Sequence, residues 1–415
     1  MRGSIKIPSS KSQTIRALLF ALLARGKSVL YDPLFSQDTF AMIEACRALG
    51  GKVSCFPDRI EVEGLDGRID GAEDVIGVGN SGLAFRFIGA IAALSTQPIV
   101  ITGDDSIRHR RPIAPLLEAL TQLGVSAFSL RGDGSAPISV CGPLHSGFVV
   151  MPGEDSQPVS ALLAASSFAP AAIELFVVNP GEKPWINLTL NWFDRLGIAY
   201  QSQSFESYRL EGNSSIEGFS YSVPGDFSSA AFPLAAAALT GIEVRLENLD
   251  YNDAQGDKKL VDFLIEMGAS IEIDETNHSI HVKKQKTLKG KTFDVNDCID
   301  AVPILAVLGC FAEGETHLIG ASIARKKESD RLWAIALELG KMGGSVQENA
   351  EGLTIRPAPL HGAVVDSHFD HRIAMALTVA ALVAKGETVI ENISCIHKTY
   401  PCFIQQMRTL GASLR

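Results

Sequence analysis

The chain has no run of about 18 uninterrupted apolar residues, the least that a membrane-spanning helix needs. Its longest apolar stretches, 301–312 and 373–384, read as buried helices. Aromatic residues are scarce, 7% against 46% hydrophobic residues, so the core must be built from aliphatics and alanine. Positive charge is in deficit: 37 Lys and Arg face 47 Asp and Glu, a formal net charge of −10. That balance argues against bulk attraction to nucleic acid or to an anionic membrane, but leaves room for a local basic cavity. The seven cysteines (Cys46, Cys55, Cys141, Cys298, Cys310, Cys395 and Cys402) are scattered and contain no CxxC pair. They suit a reducing cytoplasm and argue against structural zinc. Lys6, Lys11 and Arg16 interrupt the opening segment, which does not read as a signal peptide.

What is present is repetition. A Leu or Met with Gly closely following, at the end of an amphipathic stretch, recurs at Gly50, Gly124, Gly197, Gly268, Gly343 and Gly411, in steps of 68 to 75 residues. Glycine just past a helix accepts the left-handed backbone that ends it, and short alternating segments such as 52–54 and 270–273 then read as strands. Upstream of each glycine lies an Ala- and Leu-rich run: 17–23, 84–93, 161–165, 230–239, 301–308 and 373–383. These runs are apolar on nearly every face and predict interior helices, while 116–122 and 262–267 carry polar residues on one side and predict exposed ones. Strands are expected between them, at 99–102, 243–246 and 388–390. A chain of 415 residues favours two domains, and six repeats divide into three and three. Each domain is expected to hold three units around a pseudo-threefold axis, with the boundary near Val223-Pro224-Gly225.

The chemistry gathers at the mouths of the interior helices. They open on Lys11-Ser12 with Arg16 following, on Gly79-Asn80-Ser81-Gly82 with Arg86, on Asp155-Ser156-Gln157, on Gly225-Asp226-Phe227-Ser228-Ser229, on Asn296-Asp297-Cys298-Ile299-Asp300, and on Asp370-His371-Arg372. Ser, Asp and Asn are ordinary N-caps, and capping alone explains most single instances. It does not explain the cations, because Lys11, Arg16, Arg86 and Arg372 oppose the helix dipole where they stand. Unpaired helix N–H groups beside cations predict an anionic ligand. Two charged segments, 108–111 and 325–331, occupy equivalent places three repeats apart, on loops before exposed helices. A charge run is usually a solvated face; the matched positions point to function.

The ordered set Lys11-Ser12-x-x-x-Arg16, Gly79-Asn80-x-Gly82-x-Ala84-x-Arg86, Arg111-Pro112, Ser156-Gln157, Gly225-Asp226-x-Ser228-Ser229, Gln255-Gly256-Asp257, Asp300-Ala301, Lys327-Glu328-Ser329-Asp330-Arg331, Asp370-His371-Arg372 and Lys398-Thr399-Tyr400-Pro401 resembles the EPSP synthase family, the enolpyruvyl transferases of the shikimate pathway. The resemblance runs from end to end. It implies an α/β fold of two domains, each of three βαβαββ units (an inside-out α/β barrel), closing over a cleft. The expected limits are 10–224 for a shikimate-phosphate-side domain, and 1–9 plus 225–415 for a domain supplying much of the phosphoenolpyruvate (PEP) and acid–base site. It also implies transfer of enolpyruvate from PEP to the 5-hydroxyl of shikimate 3-phosphate, with phosphate released through a tetrahedral intermediate. That chemistry calls for general acid–base groups and for neither a redox cofactor nor an essential metal.

By the same resemblance Lys11, Ser12, Arg16, Ser156, Gln157, Asp300 and Lys327 hold shikimate phosphate. Lys11, Gly82, Arg111, Gln157, Arg331, Arg372 and Lys398 hold PEP. Asp300 and Glu328 form the acid–base pair, assisted by Lys11 and Lys327. The partners implied are these two small molecules, with no nucleic acid or membrane, for a cytoplasmic monomer. Glyphosate is implied as a ligand of the PEP pocket. Several residues depart from the family pattern: Leu83 for Thr, Phe87 for Pro, Asp155 and Glu182 for phosphate-contacting Ser, Trp185 for Tyr, and Ile323 for a polar residue. The alternative is the sister enzyme acting on UDP-N-acetylglucosamine, which typically has Asn after the first Lys and a Cys on its mobile loop. Here Ser12 follows Lys11 and 108–111 lacks Cys. A ring that encircles nucleic acid would need basic residues along its inner helices, which here are apolar.

Overall fold

The computed structural model describes residues 3–72, 74–284 and 287–415. Twelve of its helices form six pairs, one inner and one outer, in chain order. They are α1 (Lys11–Leu23) and α2 (Gln37–Ala48), α3 (Gly82–Ile91) and α4 (Ala114–Gln122), α5 (Ser156–Phe168) and α6 (Lys183–Leu196). The pattern continues with α7 (Phe227–Thr240) and α8 (Lys259–Glu266), α9 (Val302–Phe311) and α10 (Arg331–Lys341), α11 (His371–Val383) and α12 (Phe403–Thr409). The odd-numbered helices are the Ala-rich runs. Every residue of α3 is buried, and in α1 all but Lys11 and Ser12 are. Pro115, Pro184 and Pro303 fall in first turns, where no intrahelical N–H is needed.

Each outer helix is followed by its repeat glycine, and all six have positive φ, from +69° at Gly197 to +99° at Gly50 and Gly268. At the first five the chain reverses into a strand. Six sheets result, on one plan. A parallel pair, which in four of the six straddles the inner helix, is continued in five of them by an antiparallel hairpin from its second strand. In one sheet Gly147–Pro152 pairs in parallel with Ile173–Val178, which pairs antiparallel with Ser207–Leu210, and that strand with Tyr200–Gln203. Five sheets have four strands; the sixth, Val364–Asp366 beside Val389–Glu391, is the parallel pair alone.

The chain divides into two compact units, Ser10–Val223 and Pro224–Arg415 together with Met1–Ser9, of which the first two residues lie outside the described set. Connectivity explains the discontinuity. Strand Gly3–Lys6 precedes α1 in sequence, yet it pairs in parallel with Val244–Glu247 of the C-terminal unit. The strand that completes the first sheet of the N-terminal unit is instead Ser220–Ser222, beside Lys27–Tyr31. Each unit has its own apolar core. In the C-terminal unit α7, α9 and α11 pack pairwise; in the N-terminal unit α3 packs on both α1 and α5. No helix among the described residues is long and apolar enough to cross a membrane.

Two local expectations change. Arg108 and His109 lie on a short helical turn, Asp105–His109, rather than on open loop. Arg331, expected on a loop, is the first residue of α10, which Asp330 caps by accepting from the Trp333 amide at 3.1 Å.

Candidate active site

The C-terminal unit assembles its half of the predicted residues from the starts of four helices and one turn. Arg331 is 1% exposed, and its guanidinium meets three carboxylates. Its Nε donates to Asp370 at 2.8 Å, its Nη1 to Asp300 at 2.5 Å and its Nη2 to Glu328 at 2.7 Å. Arg372 donates through Nη2 to Asp300 at 3.0 Å and through Nη1 to the Ser228 carbonyl at 2.9 Å. Lys398 donates to the other oxygen of Glu328 at 2.9 Å. Asp370 ties this array to the fold: it caps α11 by accepting from the Arg372 amide at 2.8 Å and also accepts from the Ser329 hydroxyl at 3.1 Å.

Asp300, Glu328, Arg331, Arg372 and Lys398 are thus brought into one network. Lys327 adjoins it in sequence, on the segment between the turn Ser322–Lys326 and α10. Burial opposes the charge on Asp300, but the Arg372 and Arg331 guanidiniums override it and hold its carboxyl far below the usual carboxylate range. Burial likewise opposes the charge on Arg331, and Asp370, Asp300 and Glu328 more than restore it. Arg372, one of the cations read from the sequence as waiting for an anionic ligand, therefore already holds an anion of the protein's own.

The N-terminal unit places its residues at the mouths of α1, α3 and α5. Lys11 pairs with the buried Asp38 at 3.3 Å. Arg16 is 2% exposed; its Nε donates to Thr189 at 2.9 Å, its Nη2 to the Trp185 carbonyl at 3.0 Å and its Nη1 to the Ser12 carbonyl at 3.3 Å. The Phe87 ring lies 5.2 Å from its guanidinium carbon, a cation–π contact that gives this departure from the family pattern a packing role. Gly82 begins α3 where two guanidiniums converge. Arg86 donates to its carbonyl at 3.3 Å, and a Cβ added to Gly82 would stand 2.2 Å from Arg111 Nη1. A side chain there would displace the Arg111 guanidinium.

At the mouth of α5, Asp155 caps the helix by accepting from the Gln157 amide at 3.1 Å. The amide and hydroxyl of Ser156 both donate to the buried Glu182, each at 3.2 Å. Glu182 adopts a left-handed backbone, φ 46°, to reach them. The other departures are also packed: Leu83 and Ile323 are each 7% exposed and belong to the cores.

Capping accounts for part of the pattern at these mouths, since Ser10, Ser81, Asp155 and Asp370 all cap. The residues that sequence reading missed are the ones that hold the cations in place: Asp38, Thr189 and the Trp185 carbonyl in one unit, and Asp370 as hub with Ser228 in the other. Asp370 and Ser228 lay inside quoted motifs and carried a signal. Asp38 and Thr189 sit on outer helices and carried none.

Fold and site together are those of a transferase whose C-terminal unit sets two arginines and a lysine against its own carboxylates. The chain belongs to the EPSP synthase (3-phosphoshikimate 1-carboxyvinyltransferase) family, whose profile matches residues 1–407. It is 45% identical over 415 residues to a 3-phosphoshikimate 1-carboxyvinyltransferase of Chlamydia pneumoniae, covering 99% of this chain and 92% of that one. It is 42% identical over 412 residues to the corresponding protein of Acetivibrio thermocellus, covering 99% and 96%. A solved EPSP synthase from Acinetobacter baumannii superposes with a TM-score of 0.84 at 26% identity, covering 99% of this chain and 96% of that one. The two-domain enolpyruvyl transferase fold is therefore that of this chain.

Proposed function

We infer that this chain transfers the enolpyruvyl group of PEP to the 5-hydroxyl of shikimate 3-phosphate, releasing phosphate. The observation that carries the residue roles is the Asp300–Arg331–Glu328 array, in which one buried guanidinium bridges two carboxylates and a lysine backs one of them. PEP brings a carboxylate and a phosphate that compete for Arg331, Arg372 and Lys398. As those cations turn to the substrate, Asp300 and Glu328 lose their counter-charges and become basic enough to exchange protons. Asp300 then accepts the 5-hydroxyl proton as that oxygen attacks C2, and Glu328 serves the proton at C3. In the collapse of the tetrahedral intermediate Glu328 takes a proton back from C3, the C2–O bond to phosphate breaks as C2=C3 forms, and the proton held by Asp300 goes to the departing phosphate while the new 5-O–C2 bond stays. Lys11 and Lys327 assist by offsetting developing negative charge.

In this reading Lys11, Ser12, Arg16, Ser156, Gln157, Asp300 and Lys327 bind shikimate 3-phosphate, and Lys11, Gly82, Arg111, Gln157, Arg331, Arg372 and Lys398 bind PEP. The unit around residues 10–224 serves mainly the former substrate. Glyphosate competes with PEP, with Leu83 and Phe87 shaping the helix behind Gly82. The chain works as a cytoplasmic monomer; its seven free thiols fit a reducing compartment. Phosphate release from PEP, followed with shikimate 3-phosphate and separately with UDP-N-acetylglucosamine as acceptor, tests the reading. Turnover with the first alone, lost in Glu328→Ala and Lys11→Ala, is expected; turnover with the second alone would overturn it.

A further inference from the structure

The Gln255-Gly256-Asp257 motif has no part in the chemistry above, yet the structure puts it directly behind Arg372. Gln255 brackets the start of α7, accepting from the Phe227 amide and donating to the Gly225 carbonyl, each at 3.0 Å. That fixes Ser228 on the first turn. The Ser228 carbonyl holds Arg372 Nη1, and the Ser228 hydroxyl donates to Asp257 Oδ2. Asp257 is 1% exposed, and its second oxygen, Oδ1, is buried with no hydrogen-bond partner. An ionised carboxylate normally has several donors; this one has a single hydroxyl.

The groups around Asp257 are mostly unfavourable to its charge. Asp226, at the cap of α7, and Asp300, on the turn Asn296–Ala301, are both negative. Cys298 on the same turn is buried, its thiol pushed well above the usual range. Lys259 of α8 is ion-paired to Asp297 at 3.2 Å. Arg372 is the cation that favours ionisation, and Asp300 already engages it. Burial first, and Asp300 next, raise the Asp257 carboxyl to about 7.

We propose that Asp257 is a positioning residue for Arg372: with its proton on, it leaves the guanidinium charge to substrate, and with its proton off, it draws that charge inward. This rests on the reading of Arg372 as a PEP ligand. The route is short, from the Asp257 carboxyl through Ser228 to Arg372 Nη1, with Asp300 on Nη2. The exchange involves one proton, passed between Asp257 and solvent, and no covalent step.

The test is the pH dependence of the Michaelis constant for PEP in Asp257→Asn, a permanently neutral carboxamide of the same shape, divided by that of wild type. The ratio cancels the titration of PEP itself. It is expected to fall about fivefold between about pH 6 and about pH 8.5. Asp257→Ala, which also loses the hold on Ser228, is expected to raise the constant at every pH. Difference infrared spectra of ligand-free wild type against Asp257→Asn should show a carboxylic-acid carbonyl band that disappears as pH rises through neutrality. A pH-independent ratio, or no such band, overturns the proposal. Arg372→Lys measured in parallel separates the two claims. A raised Michaelis constant there with a flat Asp257→Asn ratio overturns the Asp257 inference alone, whereas an unchanged constant means that Arg372 is no PEP ligand and both fall.

Discussion

At the scale of single residues, the C-terminal unit pairs Arg331, Arg372 and Lys398 with its own carboxylates, whereas at the mouth of α3 the cations press on backbone. Gly82 shows what that contact requires of the backbone. The nearest atom to an added Cβ is the tip of Arg111, the flexible end of a side chain, and the conformation of Gly82 is open to any residue. In Gly82→Ala the guanidinium should therefore move and the fold should not. The Michaelis constant for PEP is expected to rise about tenfold, equivalent to ~1.4 kcal/mol, while the melting temperature stays put. Steady-state kinetics beside a thermal melt check both halves.

Asp257 carries a stability signature independent of turnover. Unfolded, it ionises near the ordinary value of about 3.9; folded, it does so at about 7, burial being the main cause. Between those values the folded chain holds a proton that the unfolded chain has lost. Stability is thus lost progressively as pH rises from about 4 to about 7 and levels off above. Asp257→Asn has no such proton to hold. Its stability relative to wild type should grow with pH over that window, as read from urea midpoints; a constant difference would mean that Asp257 is ionised throughout.

At the scale of elements, much was legible in the sequence because it follows from local rules. Inner helices are written as apolar runs, outer helices as stripes, and their ends as glycines. The six glycines predicted the six helix ends because only a residue without Cβ takes a positive φ at low cost. Gly197 gives the clean test: its φ is +69° and an added Cβ meets nothing within 4 Å. Gly197→Ala should cost about 1 kcal/mol from backbone strain alone, and Gly197→Asn less, because Asn tolerates the left-handed region. Chemical denaturation of the two variants measures the difference.

Less legible were the partners of the cations. Arg16 finds Thr189 and the Trp185 carbonyl some 170 positions away, and no periodicity carries information across that distance. Cations at helix starts point to an anion that the sequence does not name. Part of that anion is internal, Asp38 for Lys11 and Asp300 for Arg372. A helix mouth reveals that charge must be met, not by whom.

At the scale of the whole molecule, the unusual feature is the exchange of first strands. Gly3–Lys6 completes a sheet of the C-terminal unit, and Ser220–Ser222 closes the N-terminal unit on itself. The chain therefore passes from one unit to the other at each of these points, and the C-terminal unit cannot finish its core without the opening residues. Ile5 and Ile7 are that contribution, 5% and 0% exposed, among residues otherwise drawn from beyond position 224. The continuation is fixed by the Ile7 amide, which donates to the Glu247 carbonyl at 3.0 Å. Ile7→Ala removes buried methyl groups from a close-packed position and should cost about 2–5 kcal/mol. Sequence order alone would assign that loss to the N-terminal unit, next to α1; the strand pairing assigns it to the C-terminal one. Native-state hydrogen exchange decides. Protection should fall in Val244–Glu247 and α7, and the amides of α3 and α5 should keep theirs; loss confined to the N-terminal unit would contradict the exchanged-strand topology.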